Sequence, residues 1–184
     1  MQTCVRILAF CAVCVYYVTA GSTKLAGPFE LEFRRIEHCQ DEGTKELVYH
    51  TKLNKVSKYE YAYNGECTVP NTTGVSVEAD VFKKLNSGSW AKTFDYRLND
   101  FCEDFKAKFS KIFRTYTEDY LKVASECPVP ADTYTADNWV ISIEEFPLEE
   151  LEYGLYKVEA VFLRGEERIG CIQVYVDVEE KPAD

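Results

Sequence analysis

The sequence predicts a mainly β protein: a β-sandwich or β-cup of about eight antiparallel strands with one inserted helix near residues 101–122. Three observations carry this expectation. Short segments of alternating apolar and polar residues recur with hairpin-sized gaps between them. A single long run, opening at Phe101, instead repeats its apolar residues at steps of three and four. A cysteine stands near each end of that run, at Cys102 and Cys127.

The first twenty residues read as a leader rather than as part of the fold. Arg6 precedes an apolar run from Ile7 to Val18, too short to span a bilayer. Val18-Thr19-Ala20 then offers small residues at the −3 and −1 positions of a cleavage site after Ala20. The expected product is a single domain over residues 21–184, secreted and extracellular. Removal of Arg6 leaves 20 basic against 31 acidic side chains, a net −11. Such a surface argues against nucleic acid and against simple attraction to anionic lipid.

Each element has its own signal. Phe29, Leu31 and Phe33 alternate with charged neighbours in a first strand that continues toward Cys39, and Gln40-Asp41-Glu42-Gly43 has turn chemistry. Leu47, Tyr49, Thr51 and Leu53 line one side of a second strand, and Tyr59, Tyr61 and Tyr63 one side of a third. Asn64-Gly65 then predicts a hairpin turn. Asn71-Thr72-Thr73 is an N-glycosylation sequon in a loop that would tolerate a glycan. Val75, Val77, Ala79 and Val81 mark a fourth strand. Trp90, Phe94 and Tyr96, after the turn Asn86-Ser87-Gly88-Ser89, mark a fifth.

The helix follows, with Phe101, Phe105, Phe109, Ile112, Phe113, Tyr116 and Tyr120 on one face. Such a face is either ordinary core or the lining of a cavity. Trp139–Ile143 reads as a strand, and an irregular acidic stretch runs from Phe146 to Gly154. Tyr156, Val158, Ala160 and Phe162 share a face of the next strand, and Ile172, Val174, Val176 and Val178 a face of the last.

Signals for catalysis are missing from the sequence. The two histidines, His38 and His50, stand twelve residues apart without a metal-ligand spacing, so no metal site and no cofactor are expected. There is no nucleophile elbow and no phosphate-binding loop. The acidic pairs Glu144-Glu145 and Glu149-Glu150 read as solvated faces in a chain with 31 carboxylates. Five cysteines follow the leader: Cys39, Cys67, Cys102, Cys127 and Cys171. In an oxidising compartment disulfides are the default, and an odd number leaves one thiol free or paired with another chain.

Several ordered stretches resemble a known family. Phe101-Cys102-Glu103, Cys127-Pro128-Val129-Pro130-Ala131-Asp132-Thr133-Tyr134, Gly154-Leu155-Tyr156-Lys157-Val158-Glu159-Ala160-Val161 and Arg168-Ile169-Gly170-Cys171-Ile172 follow one another as in the ganglioside-activator family of lipid-transfer proteins. The series is more similar still to the insect CheB-like secreted proteins associated with chemosensation, whose pattern Lys52–Lys58 and Tyr63-Asn64-Gly65 also fit. The resemblance covers most of the chain after the leader, with its specificity concentrated in residues 99–178.

The resemblance implies a lipid-recognition β-cup with an apolar interior and no catalytic residues. It implies disulfides Cys102–Cys127 and Cys39–Cys171, worth roughly 3–4 and about 5 kcal/mol in a chain-entropy treatment. Cys67 is then the free or intermolecular thiol. Asp132 stands where the family prefers glycine, and the extra loop cysteines of the vertebrate activator are missing. The expected function is non-enzymatic binding of a small hydrophobic ligand, a lipid or hydrocarbon. Phe105, Phe109, Phe113, Trp90 and Trp139 are the candidate wall or mouth residues. The competing expectation is a protein–protein accessory or co-receptor module with a filled cavity, engaging a membrane receptor as a monomer or as a Cys67-linked dimer.

Overall fold

The structure, a computed structural model, describes residues 29–57, 61–141 and 152–180. The proposed leader, the start of the third strand at Tyr59, residues Ser142 and Ile143 of the expected strand, and the acidic pairs at 144–150 lie outside the described residues.

The described residues form eight strands in two antiparallel sheets, with a helical insert between the fifth and sixth strands. The strands are β1 (Phe29–His38), β2 (Val48–Lys55), β3 (Tyr61–Val69), β4 (Val75–Lys84), β5 (Trp90–Leu98), β6 (Asp132–Ile141), β7 (Gly154–Arg164) and β8 (Glu167–Glu180). The larger sheet has the order β1-β8-β7-β4-β5 and the smaller β2-β3-β6. Alternation decides which side faces inward. Val75, Val77, Ala79 and Val81 of β4 stand level with Arg164, Phe162, Ala160 and Val158 of β7. The same face continues onto β8 through Ile172, Val174 and Val176.

Two of the four register shifts among the described strands correct the simple alternation. Asn64-Gly65 is not a turn: it lies inside β3, where the register on β6 jumps from Tyr63↔Trp139 to Gly65↔Ala136. Gly65 has φ +145°, and a Cβ there would come within 2.0 Å of the His50 carbonyl oxygen. The glycine serves a close backbone approach rather than a hairpin. The second bulge lies between β4 and β5, where Val81 pairs with Phe94 but Phe82 with Lys92. Thr93 is the extra residue, and its hydroxyl donates to the Val81 carbonyl at 2.9 Å. This shift turns Trp90 to the face opposite Phe94.

The predicted helix is present but divided. Helix α1 (Phe101–Lys108) is capped by Asp100, whose carboxylate accepts from the Glu103 amide at 3.1 Å. Asp104 reaches back to the amides of Asn99 and Asp100. Phe109, at φ −127° and ψ 46°, breaks the run before α2 (Ser110–Arg114). A π-helical segment, Thr115–Leu121, follows and ends on left-handed Lys122. Threonine chemistry accompanies the wider turn. Thr115 Oγ1 donates to the Lys111 carbonyl, while the fully buried Thr117 bonds to the Phe113 carbonyl and to Ser125.

Two disulfides are formed. Cys102–Cys127 spans the helical insert, and Cys39–Cys171 joins the end of β1 to its neighbour β8. No helix among the described residues is long and apolar enough to cross a membrane.

Candidate functional site

The interior between the sheets is not one continuous core. One buried group, around Tyr63, Cys67, Phe113, Tyr120 and Tyr134, joins the helical insert to the smaller sheet. A second, around Val75, Val77, Leu98, Phe162 and Ile169, sits near the start of α1. A third, Leu31, Val81, Tyr156 and Val178, lies toward the other end of the larger sheet.

Between the second and third groups the inward face of the larger sheet is only half-buried. Ala79, Tyr96, Val158, Ala160, Ile172, Val174 and Val176 all remain partly accessible, and Phe94 is 47% exposed. At the centre of this belt two alanines sit side by side, Ala79 opposite Ala160. Small side chains at a sheet centre withdraw the surface from whatever faces it. An inward apolar belt that stays half-accessible is the feature of this fold best suited to hold an apolar molecule.

The helical aromatics face this region in different ways. Phe105 stacks on Phe101 at 5.7 Å and meets Phe109 at 5.2 Å and Phe113 at 6.2 Å. It touches both of the buried groups that flank the insert. Phe109 is half-buried at the helix break and packs edge-on against Tyr96 at 6.1 Å, linking the insert to the belt. Phe113 is 3% exposed and belongs to the packed core.

Trp139 is half-buried and lies parallel to Tyr120, with centroids 5.1 Å apart and planes inclined by 11°. Tyr63 and Tyr116 complete its surroundings, each at 5.9 Å. Trp90 stands apart from the other four candidates. Turned outward by the bulge, it packs on Tyr175 at 5.9 Å, with Lys84 and Lys157 over its ring. It therefore lines no part of the interior between the sheets.

Cys67 is unbonded and 0% exposed. Its sulfur lies 3.8 Å from the Tyr116 hydroxyl, and burial pushes the thiol pKa up to about 11 against the lowering effect of Tyr116 and Tyr49. Burial also raises Tyr49, Tyr63 and Tyr116 well above the ordinary phenol value. A protonated thiol enclosed by hydroxyls is unreactive, and its burial is a barrier to the bridge between chains considered from sequence.

Two surface grooves are lined mainly by polar residue types. One, of about 800 Å³, runs beside the sequon and includes Glu46, Asn71, Asp132 and Arg164. Asn71 is exposed while Thr72 is buried, its hydroxyl accepting from the Val129 amide. The other, of about 500 Å³, includes His38, His50 and Asn64. The fold brings the two imidazoles to 6.1 Å, which their spacing in sequence did not suggest. His38 Nδ1 meets Glu42 at 2.9 Å. Cys39, Glu159 and Cys171 also come together, but the two sulfurs are joined to each other and offer no thiolate.

Residues 77–155 match the family described as "Protein of unknown function (DUF1091)". The match runs from β4 through β5 and the clamped insert to the start of β7, under half of the chain. No curated protein matches the sequence.

Proposed function

We propose that this protein is a secreted, non-enzymatic carrier or presenter of a small hydrophobic ligand, a lipid or hydrocarbon, held between the two sheets. The observation that carries the reading is the half-buried belt around Ala79 and Ala160, facing an insert whose aromatic side turns inward. Burial of a chain-like ligand there gains about 0.8 kcal/mol per CH₂, so useful affinity needs no reactive group. The resemblance to ganglioside-activator and CheB-like proteins points the same way and adds a chemosensory setting. Phe105, Phe109 and Trp139 are the wall residues of this reading, with Phe113 behind them as support. The two disulfides fit an oxidising compartment, and a glycan on exposed Asn71 would project from a loop of the secreted form.

A second reading draws on the stack of Tyr63, Tyr116, Tyr120 and Trp139. These rings fill the helix side of the interior, as they would in a receptor-associated module that has no ligand. One experiment separates the two. The full chain is expressed through a eukaryotic secretory route, and an organic extract of the folded product is analysed. The same material is titrated with an apolar fluorescent probe. A stoichiometric co-purifying lipid and a displaceable probe are the expected results. No lipid together with no saturable probe binding would overturn the carrier reading in favour of the accessory module.

A further inference from the structure

The smaller surface groove brings two imidazoles together from different sheets. His38 closes β1 of the larger sheet, and His50 belongs to β2 of the smaller one. Their ring centroids lie 6.1 Å apart, and the rings are tilted by 54° rather than stacked. Both open to solvent: the His38 side chain is 43% exposed, and His50 is exposed as well. An ion bound to one nitrogen of each ring at about 2.0–2.1 Å would hold the centroids roughly 5–6 Å apart. A small adjustment of two surface side chains reaches that range from the observed separation.

The backbone behind each ring is braced. Cys39, next to His38, is bridged to Cys171 of β8. The His50 carbonyl lies against Gly65, where no Cβ fits. One oxygen of Glu42 meets His38 Nδ1 at 2.9 Å, and the other meets Lys45 at 3.2 Å. A carboxylate that keeps the proton on Nδ1 leaves Nε2 with its lone pair, the arrangement that orients a metal-binding imidazole. Glu66 stands directly opposite His50 in the β2–β3 register, so its side chain leaves the sheet on the same face. Cys67, the unbridged thiol, is fully buried and offers no competing ligand. Imidazole donors suit zinc and copper(II), whereas magnesium prefers oxygen.

The geometry points to a divalent transition-metal site between the two sheets. His38 Nε2 and a nitrogen of His50 are the protein's nitrogen ligands, Glu42 positions the His38 ring, and water or the Glu66 carboxylate takes the remaining positions. The ion is of the zinc or copper(II) class. Bound there, it ties the end of β1 to β2 and stabilises the folded chain by mass action. The site is independent of the carrier reading and of the interior belt.

The test uses the full secreted protein without an affinity tag, first freed of metal with a chelator. Zinc chloride and magnesium chloride are titrated separately by calorimetry, with a thermal melt at each end point. One saturable zinc site, a zinc-dependent rise in melting temperature and no response to magnesium are the expected results. One equivalent of copper(II) should show two nitrogen donors in its electron paramagnetic resonance spectrum. His38→Gln and His50→Gln should each weaken zinc binding roughly tenfold or more and cancel the rise, while melting close to the metal-free parent. Glu42→Gln should weaken binding by a smaller factor and keep both nitrogens in the copper spectrum. No saturable zinc binding in the parent overturns the site. Zinc binding that survives either histidine substitution at parental strength, or a copper spectrum with fewer than two nitrogens, overturns the pairing of His38 with His50. The copper spectrum is taken on the unsubstituted chain, so it decides the matter even where a variant fails to fold.

Discussion

Glu32 is a single side chain that joins the two sheets. It projects from β1 of the larger sheet and accepts from Lys55 Nζ of β2 at 2.6 Å and from the Tyr61 hydroxyl of β3 at 2.7 Å. Arg34 approaches its other oxygen at 2.8 Å. The bonds from Lys55 and Tyr61, together with the Arg34 charge, lower the Glu32 pKa below its ordinary 4.5. A carboxylate whose folded pKa is depressed contributes stability above its unfolded pKa, and that contribution is lost as pH falls through the folded value. Glu32→Gln keeps the shape and removes the charge. It should cost about 1 kcal/mol at pH 7, the scale of a partly exposed charge-assisted cluster. The gap between parent and variant should close as pH drops below 4.5. Urea unfolding at pH 7 and again at pH 3 measures both, and an equal gap at the two pH values would show that the charge does not hold the sheets together.

At the scale of elements, Gly65 has the most exacting position. Alanine there sets a Cβ at 2.0 Å from the His50 carbonyl oxygen and 2.9 Å from Thr51 Cα, both backbone atoms that β2 cannot easily move. Gly65→Ala should therefore cost more than about 3 kcal/mol, with loss of the β2–β3 pairing. Gly74→Ala is the control: it also has a positive φ of 67° but meets nothing within 4 Å, so its cost should stay near 1–2 kcal/mol. Chemical denaturation ranks the two, and a Gly65 variant no weaker than the Gly74 variant would contradict the steric account.

The same position explains what the sequence could and could not disclose. Alternation exposes β1, β4, β7 and β8 because apolar side chains collect on one side of each and polar or charged ones on the other. Asn64-Gly65 misleads because a positive φ serves a bulge as well as a hairpin, and only the partner strand decides which. The 3.6-residue period reveals the insert from Phe101 to Tyr120. It is blind to the break at Phe109 and to the π-helical turn, which goes with hydroxyl bonds from Thr115 and Thr117. Trp90 shares the parity of Phe94 and Tyr96, so alternation places all three on one face. The extra residue at Thr93 reverses that, and it becomes visible only through the pairing of β5 with β4. The convergence of His38 with His50, one from each sheet, and of Cys67 with Tyr49 of the paired strand and Tyr116 of the insert arises from tertiary packing and leaves no local mark.

For the whole molecule, the proposed carrier function turns on whether the half-buried belt takes a ligand. Cohesion is supplied at its margins, by the packed groups at either end, by the Glu32 cluster and by the bridged insert. The middle contributes less to stability than a closed sandwich would, because Ala79, Ala160 and their neighbours stay partly accessible. A ligand there adds stability by mass action, about 2.7 kcal/mol at a hundredfold excess over its Kd. Ala160→Phe tests the assignment from the other direction. Its ring projects from the centre of the inward face into the space proposed for the ligand, so overpacking strain should be small and the fold should retain its stability within about 1 kcal/mol. Apolar probe binding should fall at least tenfold, and the ligand-induced rise in melting temperature should vanish. A variant that loses several kcal/mol would show that the belt faces a packed interior after all. One that folds normally and still binds the probe with parental affinity would place the ligand elsewhere.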